Sequence, residues 1–460
     1  MNFFNTIKKI AAPQRLLLAI AVFHAQSVWA LLPIEHWREP SGARVWLVQS
    51  AAIPMVDVQV DFDAGQRRDP AEQAGLASAF ALMSSKGVRA SADQPALDEN
   101  DLGEAWADLG ANFSAAAERD GLVFSLRSLT EPDLLQRAVA LAARQLGQPA
   151  LPEAIWQRER ARWQASLREA DTRPGSVAGK AFAKAVYGGH PYGQYPTSQS
   201  LERIGMADLQ AFEARYLQAC RARVSIVGAV NRQQAQALVA ALLAHLPASA
   251  QGSACPALPE VPEVPPLTAA RELDIPFASA QAQVLLGQPG FARRDPDFLA
   301  LLVGNHILGG GGFTSRLTHE VREQRGLTYG IYSQFSPGLN AGAFVISLQT
   351  RPDQAAQALQ LTRQVLARYV AEGPTEAELR AAKDNLVGGF ALRIDSNRKL
   401  LGNVVNIAWN ELPLDYLEHW TQRVQALTTA DIRAALQRKL QPERMVTVVL
   451  GAQAPAPAKP

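Results

Sequence analysis

Side chains able to bind metals or attack bonds are few in this chain and poorly grouped. Its seven histidines, His24, His36, His190, His245, His306, His319 and His419, never fall three or four residues apart. A helix brings two imidazoles to one face only at those spacings, so no helical pair of zinc ligands exists. Cys220 and Cys255 are too few for a multi-cysteine zinc module or a disulfide scaffold, and at 35 residues apart they read equally as a bridge or as two thiols. The run Gly309-Gly310-Gly311-Gly312 allows close backbone approach and predicts a mobile segment. No Gly-Lys-Ser/Thr ends it, so phosphate-loop chemistry is excluded. A substrate-handling loop and a plain connecting turn both stay open.

The elements that must position such residues follow from composition and pattern. A chain of 460 residues, 48% hydrophobic, can bury more than one core. With 19% charged and 7% aromatic residues it reads as neither disordered nor collagen-like. A formal charge of +2 argues against a nucleic-acid partner held by bulk positive charge. Lys8, Lys9 and Arg15 precede an apolar run at 16–23, and Val28 and Ala30 sit where a signal peptidase reads. Residues 1–30 are therefore expected to be a signal peptide cleaved near Ala30, with an uncleaved anchor as the alternative. The apolar run falls short of the ~20 residues a span needs. Cleavage changes the formal charge from +2 to −1. The expectation is a periplasmic protein with no stable membrane anchor after processing.

A proline-rich linker at 251–270, with Pro256, Pro259, Pro262, Pro265 and Pro266, separates two segments, 31–250 and 271–450. Residues 451–460 (GAQAPAPAKP) read as a disordered tail. The two segments repeat each other. Gly65-Gln66-Arg67-Arg68-Asp69-Pro70 returns as Phe291-Ala292-Arg293-Arg294-Asp295-Pro296, 226 residues later. The helical stretch Glu153–Ala170 has its counterpart at 376–390, and Ala207-Asp208-Leu209 at Ala430-Asp431-Ile432, both offset by 223. In 56–62, valines alternate with Asp57, Gln59 and Asp61, the period of a half-buried strand. Residues 70–85 have helical spacing, with Asp69 placed to cap and Pro70 to open the first turn. The fold class expected is α+β: two homologous sandwich domains, each a sheet with helices packed on one side.

These residues resemble the pitrilysin/insulinase family of zinc peptidases, which includes mitochondrial processing peptidases and their non-catalytic subunits. The resemblance covers nearly all of the mature chain. It rests on Gly75-Leu76-Ala77, Met83, Lys86-Gly87 and the turn His190-Pro191-Tyr192-Gly193. In the second half it rests on Ile307-Leu308-Gly309-Gly310-Gly311, Ser315-Arg316-Leu317 and Arg322-Glu323-Gln324-Arg325-Gly326-Leu327-Thr328-Tyr329.

The resemblance implies a helix bearing the inverted motif H-x-x-E-H, two zinc-binding histidines with a glutamate as base. The frame set by Gly75 and Met83 puts Ser78, Ala81 and Leu82 at those places. Ala and Leu supply no lone pairs, and a serine hydroxyl is a poor ligand, so no zinc is expected in this chain. Glu159 and Glu169 lie where the distal carboxylate belongs, and with Arg162 and Arg173 nearby they read as a solvated, ion-paired helix face. The family also implies a substrate-binding arginine and tyrosine seven residues apart, which Arg322 and Tyr329 match. Arg322 is expected late in a helix over 315–324 and Tyr329 early in a strand over 328–335. A guanidinium and a phenol can donate to a peptide carbonyl that gains charge during hydrolysis. In the family's non-catalytic subunits a glycine-rich loop, here Gly309 to Gly312, helps take up substrate. The resulting expectation is a zinc-less subunit, inactive alone, of a heterodimeric peptidase whose homologous H-x-x-E-H partner carries the zinc and whose substrates are unfolded peptides. A non-enzymatic binding or scaffold protein of the same fold is the alternative.

Overall fold

The computed structural model describes residues 33–247 and 255–452, so the expected signal peptide and almost all of the tail lie outside the described residues. β-branched runs make two sheets. The first contains β1 (Glu35–Arg38), β2 (Arg44–Gln49), β3 (Met55–Phe62), β4 (Asn112–Ala117), β5 (Leu122–Leu129) and β6 (Arg223–Gly228), in the order β1-β2-β6-β3-β5-β4. The second contains β7 (Arg271–Ile275), β8 (Ala282–Pro289), β9 (Ile331–Phe335), β10 (Ala343–Thr350) and β11 (Val446–Leu450), in the order β7-β11-β8-β10-β9. Without β1 the two orders are the same. Each has one parallel pair, β2/β6 or β7/β11, followed by antiparallel neighbours. The internal repeat is therefore a repeat of topology.

Four helices matter for the site: α1 (Leu76–Met83), α2 (Glu153–Ala170), α3 (Pro174–Tyr187) and α4 (Asn397–Asn410). The bounds of α3 and α4 differ by 223 residues at both ends, so they are the same element of the repeat. They are exchanged between the halves. α3, from the first half, packs on β8 and β11 of the second sheet, whereas α4 packs on β2, β3 and β6 of the first. The α3 contact is apolar: Phe182, Val186 and Tyr187 cluster with Val446, Val448 and Leu450.

The α4 contact is polar, and it corrects the expectation that β3 is exposed on one face. Asp57 and Asp61 are only 5% and 4% exposed because α4 covers them. Arg127 grips Asp57 through two hydrogen bonds of 2.6 and 3.0 Å. Asp61 accepts one from Gln59 at 2.7 Å and borders a cavity of about 460 Å³ beneath Asn406 and Trp409. Burial raises its pKa to about 7 against that hydrogen bond, with Glu118 adding to the rise and Arg223 opposing it.

α1 starts later than its sequence pattern suggests. Gly75 has φ +106°, which breaks the helical path, so Pro70 opens only a separate 3₁₀ turn at Ala71–Gln73. Asp69 still caps, from a distance: its carboxylate accepts from Gly75 N at 2.8 Å and Ala77 N at 2.9 Å. The proline-rich linker is a docked strap from Cys255 onward. Cys220 and Cys255 form a disulfide with Cα atoms 5.7 Å apart. Arg221 donates to Pro256 O and Arg68 to Pro259 O, both at 2.6 Å, and His190 Nε2 lies 2.8 Å from Pro262 O. His190 is buried, which lowers its pKa, and its Nδ1 accepts from Tyr192 N at 3.1 Å, so Nε2 is the donor to that carbonyl. In the same turn Tyr192 donates to Asp120 at 2.6 Å and accepts from Asn340 N at 3.1 Å, tying the strap and both halves at one point. No described helix is long and apolar enough to cross a membrane.

The folded state keeps a proton on Asp61 up to a pH of about 7, whereas an unfolded aspartate sheds it near 4. Stability assigned to this group is therefore full below pH 4 and is lost as the pH climbs through 7. Relative to Asp61→Asn, the wild type should lose on the order of 2–4 kcal/mol between pH 4 and pH 8. Urea unfolding midpoints of both proteins across that range measure it.

Candidate functional site

On α1, Ser78 and Leu82 lie one turn apart and half-exposed, and Ala81 is buried at 5% exposure. Ser78 Oγ accepts a hydrogen bond from Gln66 Nε2 at 3.3 Å. Glu159, on α2, is buried rather than solvated, which corrects the expectation for that helix face. Its burial is tolerated because Arg158 at 2.6 Å and Arg162 at 3.1 Å neutralise it, and Arg158 also reaches Glu99 at 2.8 Å. Glu169 pairs with Arg173 on an exposed surface, as its spacing predicts. A hydroxyl, two alkyl side chains and a carboxylate already held by two guanidiniums do not fit zinc. Among the described residues no three of His, Cys, Asp and Glu gather as metal ligands.

The second half presents a different surface. Arg322 lies in a π-helical segment, Thr318–Glu323, that follows two α-helical residues, Arg316 and Leu317. Tyr329 sits in the loop before β9 rather than in the strand, which begins at Ile331. Thr328 causes the delay: its hydroxyl lies 2.6 Å from Gln349 O and accepts from Gly330 N at 3.1 Å, turning the backbone before it can join the ladder. The Arg322 guanidinium lies 4.7 Å from the Phe313 ring centroid and 4.9 Å from that of Tyr329. A guanidinium held over aromatic rings can still offer N–H donors to a ligand. Among the described residues Arg322 forms no ion pair and Tyr329 Oη no hydrogen bond. Tyr329 is 84% exposed, Phe313 68% and Tyr332 56%. So Arg322 is not part of a surface ion pair, and Tyr329 is not a core residue.

Three of the four glycines, Gly309, Gly310 and Gly311, are closely packed. Gly309 and Gly310 finish a π-helical segment, His306–Gly310, laid along β9. A Cβ on Gly309 would lie 2.6 Å from both Ser333 N and Ser333 Oγ. One on Gly311 would lie 2.6 Å from His306 O. Asn305 donates to Ser333 O at 3.1 Å and accepts from Ser333 Oγ at 2.8 Å, so this segment covers the outer edge of β9. Gly312, at φ +66°, has open space around its Cα and leads directly into Phe313. Neither Phe313 nor Tyr332 carries a sequence signal, since one aromatic beside glycines and one in a short strand look like ordinary core. The edge of β4 differs from that of β9: β4 pairs with β5 alone, and α1 packs beside it.

Residues 44–197 match the family model described as insulinase (peptidase family M16), and residues 203–386 the one described as peptidase M16 inactive domain. The chain is 27% identical over 422 residues to an uncharacterized zinc protease of Mycobacterium leprae, covering 90% of each. The crystal structure of a peptidase M16 inactive domain from Pseudomonas fluorescens superposes with a TM-score of 0.85 at 34% identity, over 93% of this chain and 100% of that one. The periplasmic protease PqqL of Escherichia coli shares the fold, with a TM-score of 0.77 at 19% identity over 91% of this chain and 46% of that one.

Gly309→Ala should destabilise the protein by about 1–3 kcal/mol, because a methyl group must displace β9 backbone. Gly312→Ala, strained but unhindered, should lose only about 1 kcal/mol. Thermal unfolding of the two variants distinguishes a packed segment from a free loop.

Proposed function

We propose that this chain, which belongs to the insulinase (M16) peptidase family and is of its non-catalytic type, serves as the zinc-less subunit of a heterodimeric periplasmic metallopeptidase. The observation that carries the reading is Arg322 set against two exposed aromatic rings, 4.7 and 4.9 Å from their centroids, with no ion pair among the described residues. That arrangement suits a peptide carbonyl, which takes hydrogen bonds in the plane of the guanidinium, with the Tyr329 hydroxyl as a second donor. Zinc belongs to the partner, a homologue bearing H-x-x-E-H. In this chain Arg322 and Tyr329 hold and orient the peptide.

The unpaired edge of β4 gives an extended peptide a second place to bind, as an added strand. Main-chain pairing of that kind selects for unfolded, extended substrates more than for side chains. Export is supported by the sequence of residues 1–30, by the Cys220–Cys255 bridge, which suits an oxidising compartment, and by the likeness to a periplasmic protease. Export places peptide fragments of the cell envelope within reach.

Cleavage of a quenched peptide tests the reading. The purified chain alone should be inactive, and mixing with an H-x-x-E-H homologue from the same organism should give activity that a chelator removes. Arg322→Ala and Tyr329→Phe should each lower turnover of the mixture at least tenfold while gel filtration still shows the complex. Chelator-sensitive activity from the single chain would refute the subunit assignment, and full activity in both variants would refute the roles of Arg322 and Tyr329.

A further inference from the structure

Between the halves and under the strap lies a cavity of about 520 Å³ whose wall carries six arginines: Arg44, Arg67, Arg68, Arg221, Arg223 and Arg294. Three carboxylates share the wall, Asp63, Glu260 and Glu263. Asp63 is already held by Arg67 and Arg68, each at 2.6 Å. Glu260 and Glu263 are exposed on the strap and form no ion pair among the described residues. Arg68 and Arg221 each give a further N–H to a strap carbonyl.

Several of the remaining donors lack an acceptor among the described residues. Arg223 Nε is buried without an acceptor. The nearest carboxylate to Arg223 is Glu411, 3.9 Å away, and Arg44 holds that group more closely at 3.0 Å. Arg67 is 7% exposed, and its Nε lies 3.1 Å from Asp120 but out of line for a hydrogen bond. Arg294 stands exposed at the mouth with no ion pair among the described residues. Burial lowers the pKa of Arg223, and neighbouring Arg44 lowers it further. A guanidinium taken from water without an acceptor is destabilising, and an oxyanion that reaches several of them removes that penalty. Carboxylates and phosphates match the guanidinium fork in two-point contacts.

We propose that this cavity binds a small multivalent oxyanion, bearing carboxylate or phosphate groups, between the strap and the two halves. Arg44, Arg67, Arg68, Arg221 and Arg223 come from the first half, Arg294 from the second, and the strap carbonyls bound by Arg68 and Arg221 close one side. A bound anion therefore joins all three. The site lies apart from Arg322 and Tyr329 in its residues, and it does not rest on the function proposed above.

Calorimetric titration of the intact mature chain tests it, with inorganic phosphate and citrate as probes, each in a chloride background of constant ionic strength. Saturable binding of one anion per chain is expected, with a rise in unfolding temperature at saturation. Affinity should fall about tenfold or more in Arg223→Gln and in Arg294→Gln. The tighter of the two probes identifies phosphate or carboxylate as the chemistry selected. Absence of saturable binding with both probes overturns the proposal. So does unchanged affinity in Arg294→Gln, whose exposed side chain can be replaced without disturbing the fold even if Arg223→Gln fails to fold.

Discussion

A sheet with helices of its own on one side leaves its other side bare, and this protein covers each bare side with a helix from the opposite half. α3 lies on the second sheet and α4 on the first. Since the two helices are the same element of the repeat, one exchange repeated twice closes both sheets. Neither half retains a covered sheet alone. Burial of Phe182, Val186 and Tyr187 against the second sheet, at roughly 1.5–3 kcal/mol for each large side chain, outweighs any single ion pair elsewhere in the molecule. Every feature at the junction is set by this exchange: the turn at His190–Gly193, the strap, and the cavities beneath them.

The two exchanged contacts differ in character. α3 meets valines and leucines, whereas α4 meets Asp57, Gln59 and Asp61 and leaves a polar cavity beside Asn406 and Trp409. An apolar contact of this kind is stable over a wide pH range. A polar contact with an aspartate whose pKa is about 7 is loosened as the pH rises. Strap hydrogen bonds from Arg68, Arg221 and His190 hold the strap to the first half, and the bond from Asn340 N to the Tyr192 hydroxyl joins the second half to it. The disulfide secures the strap at the end nearest the first half.

Much of this was legible in the sequence. Equal offsets of 223 between separate landmarks point to a repeated fold, and apart from β1 the repeat is recovered in the strand order of the two sheets. That Ala81 and Leu82 offer a metal nothing, and Ser78 only a poor hydroxyl ligand, was legible for a simpler reason: alkyl groups cannot bind a metal in any conformation. What was hidden depends on partners distant in sequence. A Val-Asp alternation in β3 is the same pattern whether its polar face meets water or a helix 340 residues away. Glu159 read as solvated because an arginine three residues on suits a surface pair, and the same pair also suits a buried carboxylate. A run of four glycines suggests mobility until Ser333 is found against Gly309, where no side chain fits.

The same physics separates the two candidate sites. The small and apolar residues of α1 leave few polar groups that need partners, so the helix as it stands is explained by folding alone. Phe313, Tyr329 and Tyr332 are not explained that way. Their rings stay largely in water and contribute little to burial, yet two of them lie against one guanidinium. Thr328 fixes the loop that carries Tyr329, and the packed glycine segment fixes the approach to Phe313. Rigid support beneath exposed aromatic side chains gives a folded chain no stability it could not gain by burying them. It would reduce the entropy lost when a ligand docks, which is the physical argument for the role proposed for the Arg322 surface.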